Sequence, residues 1–256
     1  MLPAESDQLE DLRLPTPEAG RLAQDQEWCE VCIDGVWRCI RFHEYGALYE
    51  IPGLYERLFY DLLECCSPRV IRELLATELD RESASPSDLV VLDLGAGNGM
   101  VGEQLADLGA RAIVGVDLIE QAAAATERDR PGLYDDYLVA DLTQLDAIQR
   151  ERLTRWRFTG MTTVAALGFD DIPPEAFGVA YKLIEPGGWI AFTIKESFLT
   201  ATDPSGFERL IRRMLKEGAL DLRTQRRYCH RLSSQGHPLY YIAMVAIKSG
   251  DLPAGE

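Results

Sequence analysis

Apolar and polar positions change period several times along the chain, and each change marks an element. From Trp28 to Phe42 they alternate in twos on either side of Asp34-Gly35, a dipeptide suited to the tight turn of a hairpin. A helix begins near Leu54 and runs to Leu63, and a second spans Ser67 to Leu79, with Ser67 as its cap and Pro68 in its first turn. Leu89 to Leu92 is an uninterrupted apolar run entering Asp93, after which Val101, Leu105 and Leu108 recur at helical spacing. Further apolar runs cover 112–116, 137–140 and 161–167, ending at Asp117, Asp141 and Gly168, and helical patterns follow. Pro173-Pro174 opens a helix to Ile184, Glu185-Pro186-Gly187-Gly188 turns, and Trp189 to Ile194 is another strand. A helix from about Ser205 to Glu217 and two long strands, 222–232 and 239–247, finish the pattern.

Strands alternating with helices predict an α/β fold, a doubly wound and mostly parallel seven-stranded sheet closed by an antiparallel terminal hairpin. An N-terminal hairpin and helical extension stand in front of it. Three segments are expected: an acidic, disordered tail (1–27), a hairpin and helical cap (28–85), and the main domain (86–249). The tail assignment rests on seven acids against two arginines and on Pro3, Pro15 and Pro17, a composition too polar to offset ordering entropy. In a doubly wound sheet ligands bind outside the carboxyl ends of the strands, where Gly99, Asp117, Asp141 and Gly168 all fall.

Composition narrows the partners. Lysine and arginine number 26 against 42 acids, a formal charge of −16, which repels polyphosphates and disfavours nucleic acid. No apolar stretch is long enough to insert in a membrane, and Met1 to Asp7 lacks the features of a secretory signal, so a cytoplasmic location is expected. Cys29-x-x-Cys32 with Cys39 would supply three thiols of a zinc site, but no second pair or His-x-x-x-His follows, and small buried thiols account for them. No metal is expected.

The chemistry concentrates at Asp93-Leu94-Gly95-Ala96-Gly97-Asn98-Gly99, where alternate glycines let the backbone approach a ligand and the next helix presents free N–H groups. A nicotinamide or flavin fingerprint would need G-x-G-x-x-G; counted from Gly95 the last position is Met100, and counted from Gly97 the loop shifts into the helix. With Gly115-Val116-Asp117-Leu118, Ala140-Asp141-Leu142 and the Leu183-to-Gly188 turn, the segment from about Val90 to Lys248 resembles a class I S-adenosylmethionine-dependent methyltransferase. The resemblance implies that cofactor and a Rossmann-like fold. It implies a cofactor site of Asp93, Gly95, Ala96, Gly97, Asn98, Gly99, Asp117, Leu118, Asp141, Leu142, Leu167 and Gly168. Asp117 would accept both ribose hydroxyls, Asp141 the adenine amine, and Leu118 and Leu142 would sandwich the base. Taken alone, Asp141 is equally a helix cap. Tyr60-Asp61 resembles a Tyr-Asp pair of small-molecule members, which makes Tyr60 a further cofactor contact.

No Asn/Asp-Pro-Pro-aromatic run follows the fourth strand; Asp171-Ile172-Pro173-Pro174-Glu175 looks like a helix start. The pattern is more similar to small-molecule methyltransferases of the ubiquinone-biosynthesis and Williams-Beuren-region type, so a small-molecule acceptor is expected. A base is needed only if the acceptor must lose a proton, and the candidates are His43, Tyr45, Tyr49 and His237. Two alternatives stand beside this reading. One is a non-catalytic binding module on the same fold; the other is a methyltransferase acting on protein or on RNA, which the basic run from Arg209 to Arg231 would serve.

Overall fold

A computed structural model describes residues 9–16, 22–168, 171–200 and 205–252. Its first sheet is a three-stranded meander of β1 (Leu9–Arg13), β2 (Trp28–Ile33) and β3 (Val36–Arg41), all antiparallel. Asp34 and Gly35 both take positive φ, 51° and 73°, as the two-residue turn between β2 and β3 demands. The segment expected to be a disordered tail is corrected here in part, because β1 pairs along β2 and Glu27 is buried. Residues 1–8 and 17–21 of it lie outside the described residues.

Helices α1 (Tyr45–Glu50) and α2 (Leu54–Glu56) follow, the latter passing into a π-helical turn, Arg57–Leu62, and then α3 (Ser67–Arg81) leads to the main sheet. The sequence pattern missed α1, which has six residues and no side-chain cap. Ser67 was expected to cap α3; its hydroxyl instead turns inward to Tyr228 and His230.

The main domain runs β4 (Val90–Leu94), α4 (Met100–Leu108), β5 (Ala112–Asp117), α5 (Glu120–Asp129), β6 (Asp136–Val139), α6 (Ala147–Thr154), β7 (Phe158–Thr163), α7 (Pro174–Leu183), β8 (Ile184–Lys195), α8 (Phe207–Lys216), β9 (Leu220–Leu232) and β10 (Pro238–Lys248). The sheet order is β6-β5-β4-β7-β8-β10-β9, parallel except for β10, which is antiparallel to both neighbours. This is the expected doubly wound α/β sheet with its terminal hairpin. The chain leaves β4 first toward β5 and β6 and later toward β7 and β8, so the direction of winding reverses at β4 and a crevice opens at its carboxyl end.

Period two within β4 decides what each face receives. Val90, Leu92 and Leu94 join one core with Phe177 and Tyr181 of α7 and Phe207 of α8, while Val91 joins the other with Ile71 and Leu75 of α3 and Leu105 of α4. The fourth apolar run was expected to be strand as far as Leu167, but the strand ends at Thr163, and Leu167 makes only an isolated bridge to Ile172. Val164 to Gly168 form a loop with positive φ at Ala165 and Gly168; Val164 and Leu167 are apolar because they are buried against a cavity. Among the described residues no helix is long and apolar enough to cross a membrane.

Candidate functional site

Gly95, Gly97 and Gly99 all take positive φ, 73°, 54° and 93°, as the chain turns from β4 into α4. Side chains would collide here: a β-carbon on Gly95 would lie 2.9 Å from Ala166 and from Ile172. Asp117, at the tip of β5, accepts from the Gly97 N–H at 2.8 Å through one oxygen and from the Ile119 N–H at 3.1 Å through the other. Burial raises its carboxyl above the usual range, and these N–H bonds oppose the rise.

Beside the loop is a cleft of about 450 Å³ lined by Gly95, Asp117, Leu118, Ala140, Asp141 and Leu142 and, from beyond β7, by Ala166, Ile172 and Pro173. Leu118 is 64% exposed at this cleft, unusual for a large apolar side chain, whereas Leu142 is buried. Asp141 caps the single turn Leu142–Gln144, accepting from the Thr143 N–H and hydroxyl and from Gln144 Nε2. Those bonds, Thr143 foremost, hold its carboxyl below the usual range.

An inner cavity of about 70 Å³ meets the cleft at His43, Tyr45, Tyr49, Tyr55, Ala165 and Asp171. The N-terminal helices roof it. The rings of Tyr45, Tyr49 and Tyr55 succeed one another at 6.3 and 4.8 Å, and the Tyr49 hydroxyl rests on Gly97. Glu56 Oε1 accepts from Asn98 Nδ2 at 2.6 Å and from Arg130 Nη1 at 2.9 Å, tying α2 to the glycine loop. Arg128 donates to the Tyr49 carbonyl, and His43 Nδ1 stands 3.5 Å from Asp171 Oδ2 across the entrance. Burial raises the phenol pKa values of Tyr45, Tyr49, Tyr55 and Tyr60, so all four remain O–H groups.

The structure thus brings His43, Tyr45, Tyr49, Tyr60, Gly95, Ala96, Gly97, Asn98, Asp117, Leu118, Asp141, Leu142 and Leu167 to one cleft and its inner cavity. It does not bring Asp93, Gly99, Gly168 or His237. Asp93 is fully buried on the α3 and α4 face of β4, where Thr162 and Tyr134 hydroxyls donate to its two oxygens at 2.7 and 2.8 Å. Burial pushes its pKa up to about 6. Gly99 faces Leu133 and Arg130, Gly168 faces Phe198, and His237 is exposed in the turn between β9 and β10.

Sequence reasoning missed Gln24, Tyr55, Asp171, His230, Arg231 and Tyr241, which also line the cavity. Period two in β9, with Tyr228 and His230 both buried, is the signal that marks an inward histidine there. Six cations of the basic run pair with acids of the fold. Arg212 pairs with Glu208, Arg213 with Glu217, Arg223 with Glu82 and Asp221, Arg226 with Glu73, Arg227 with Glu196 and Arg231 with Glu27.

Residues 92–192 match a family model described as a methyltransferase domain. No curated protein matches the sequence significantly. The structure is similar to that of the N-methyltransferase NodS from Bradyrhizobium japonicum WM9 in complex with S-adenosyl-L-homocysteine, at 13% identity and a TM-score of 0.54 over 82% of this chain and 98% of that one. It also matches magnesium protoporphyrin IX methyltransferase from Synechocystis PCC 6803 with bound S-adenosylmethionine, at 15% identity and a TM-score of 0.49 over 71% of this chain and 79% of that one. A putative RNA methyltransferase from Pyrococcus horikoshii matches at 13% identity and a TM-score of 0.49, over 70% of this chain and 81% of that one.

Proposed function

We propose that this protein, whose residues 92–192 match a family model described as a methyltransferase domain, transfers the methyl group of S-adenosylmethionine to a small-molecule acceptor. The observation that carries the reading is the placement of Asp117. Its carboxylate sits at the tip of β5 against the glycine loop, in a cleft that also holds Leu118, Asp141 and Leu142.

The donor set fits the cofactor. A carboxylate with two acceptor oxygens suits a ribose diol, and the apolar pair Leu118 and Leu142 suits a planar base. Among the described residues that line the 450 Å³ cleft there is no lysine or arginine, so the pyrophosphate of a dinucleotide would find no counter-charge. Gly95 and Gly97 would hold the methionine end, because only backbone without a β-carbon fits beneath Ala166 and Tyr49.

When bound, S-adenosylmethionine supplies a methyl group already activated by its sulfonium. The chain's own contribution is then alignment and exclusion of water. The tyrosine roof of α1 and α2 covers the glycine loop, and His43 with Asp171 narrows the entrance between cap and domain. The buried tyrosines, held protonated, can donate hydrogen bonds to an acceptor molecule without adding charge. The pairing of six cations of the 209–231 run with acids weakens the feature that favoured an RNA acceptor. A cytoplasmic location goes with this reading, and all six cysteines are free thiols.

Calorimetry with S-adenosylmethionine, S-adenosylhomocysteine and NADH tests the site: micromolar binding of the first two is expected. Binding of NADH alone would overturn the reading. A labelled-methyl screen of metabolite pools, with RNA in parallel, then tests the acceptor class.

A further inference from the structure

The inner cavity is too small to take a methyl acceptor whole. Its volume of about 70 Å³ is room for roughly five water molecules, and part of that goes to the methionine end of a cofactor lying over Gly95 and Gly97. The mouth it shares with the cleft, between His43, Asp171 and the tyrosine roof, is the one the cofactor must cross to lie in both. Bound cofactor therefore fills that mouth.

A third space offers another way in. An outer pocket of about 350 Å³ has no lining residue in common with the cleft, but shares Tyr60, Cys65, Pro68 and Met100 with the inner cavity. Glu64 and Arg69 on its rim are exposed, so it opens to solvent. The four shared residues stand between the two spaces.

Local structure explains how they come together. Pro68 and Met100 belong to the first turns of α3 and α4. Tyr60 comes from the π-helical turn Arg57–Leu62, where the Leu63 N–H donates to the Leu58 carbonyl at 3.1 Å. In an α-helix of about 3.6 residues per turn, Tyr60 would stand roughly 140° around the axis from Tyr55. The longer π repeat brings the two rings to 6.2 Å, and both line the cavity. Tyr60 bonds the Cys65 sulfur, which fixes that side of the partition. Met100 is the adaptable member: its side chain is unbranched, with a thioether that accepts from Arg130 Nη2 at 2.7 Å, and rotation about its own torsions changes the passage without moving the backbone.

We propose that the methyl acceptor enters from this outer pocket, past Met100 and Tyr60, while the cofactor occupies the cleft. The lining names the ligand class. Tyr60, Pro68, Met100 and the half-buried thiols of Cys65 and Cys66 suit an uncharged apolar stem, and both charged side chains, Glu64 and Arg69, lie on the exposed rim. The acceptor is thus an elongated molecule whose reacting end alone reaches the cavity. The proposal rests on the reading of the cleft as the cofactor's site.

The test uses the full chain saturated with S-adenosylhomocysteine, carbon-13-labelled in its methionine methyl groups, and two probes of equal length. One is n-heptanol; the other is diethylene glycol monomethyl ether, in which oxygens replace two methylenes of the stem. Saturable n-heptanol binding is expected at the Met100 methyl, with nuclear Overhauser contacts from the same bound molecule to Gln104 in the outer pocket and to Phe59 in the cavity. Affinity for S-adenosylhomocysteine should stay within twofold, and the ether should need at least a tenfold higher concentration. Gln104→Trp, at a position that lines the outer pocket alone, should weaken n-heptanol at least fivefold and leave S-adenosylhomocysteine binding unchanged. Absence of a saturable shift, contacts confined to one space, displacement of S-adenosylhomocysteine, equal binding of the ether, or undiminished n-heptanol binding by folded Gln104→Trp overturns the proposal. Should Gln104→Trp not fold, the wild-type contacts decide. Failure of the wild type to bind S-adenosylhomocysteine overturns the cofactor reading instead, and contacts in the free chain still show whether pocket and cavity form one route.

Discussion

The hydroxyl of Tyr49 lies 2.5 Å from the point where a side chain on Gly97 would begin. An element of the N-terminal cap thus rests directly on the glycine loop, at a position with φ of 54°. Gly97→Ala is expected to cost about 1–2 kcal/mol of stability from the left-handed backbone alone. It should also lower affinity for S-adenosylhomocysteine at least tenfold, since the cap must lift to admit the methyl. Tyr49→Phe in the same chain should recover part of both losses, a non-additivity that thermal melts and calorimetry on the single and double variants would reveal. Strict additivity would mean that Tyr49 does not press on the loop.

Asp117 holds the loop from the other side, through the N–H groups of Gly97 and Ile119. Asp117→Ala should weaken S-adenosylmethionine binding by about 1.5–3 kcal/mol, the scale of hydrogen bonds to a charged group. Asp117→Asn keeps an oxygen for one N–H and should lose less. Calorimetry beside a melting curve separates the two effects: a fall in melting temperature with unchanged affinity would leave Asp117 a turn cap and nothing more.

Much of this arrangement is legible in the residues themselves. Parallel strands buried on both faces, the Asp34-Gly35 turn and the acid at the end of β5 are local patterns, and each stands where its pattern indicates. What escaped is non-local. Strand β1 exists because β2 offers an edge to pair with, and its acidic sequence carries no sign of that partner. Asp93 faces away from the cleft because Tyr134 and Thr162, tens of residues later, provide its hydroxyl donors. Asp171 and His230 reach the cavity only once β7 and β9 have taken their places in the sheet.

Asp93 gives a pH signature. Its folded pKa, pushed by burial from the ordinary carboxylate value up to about 6, means that the folded chain keeps a proton that the unfolded chain releases. The stabilisation this proton brings is fully present below about pH 4 and is lost as pH rises to about 6, at up to 1.4 kcal/mol per pH unit. Across that window the total is roughly 2–3 kcal/mol. Asp93→Asn removes the titrating group, so the difference in urea midpoint between variant and wild type should move in the variant's favour from pH 4 to 6. It should then level off. A difference that does not change with pH would show that Asp93 ionises in the folded chain as it does in the unfolded one.

Glu27 lies in the stretch whose composition suggests a tail, yet it is 1% exposed and closes a buried pair with Arg231. Its second oxygen takes the Ser234 N–H, so one side chain fastens the N-terminal segment to the β9–β10 turn. Removing one member of such a pair leaves the other charge buried without compensation, at a cost of about 3–5 kcal/mol. Glu27→Ala is therefore expected to lower stability by that amount in urea unfolding. The double variant Glu27→Leu with Arg231→Met strips both charges at similar volume and should lose less than the single one, because it leaves no orphaned guanidinium beneath the rings of Phe42 and Phe59. Equal stability of Glu27→Ala and wild type would return residues 22–27 to the role of a loosely held tail and detach them from the wall of the cavity.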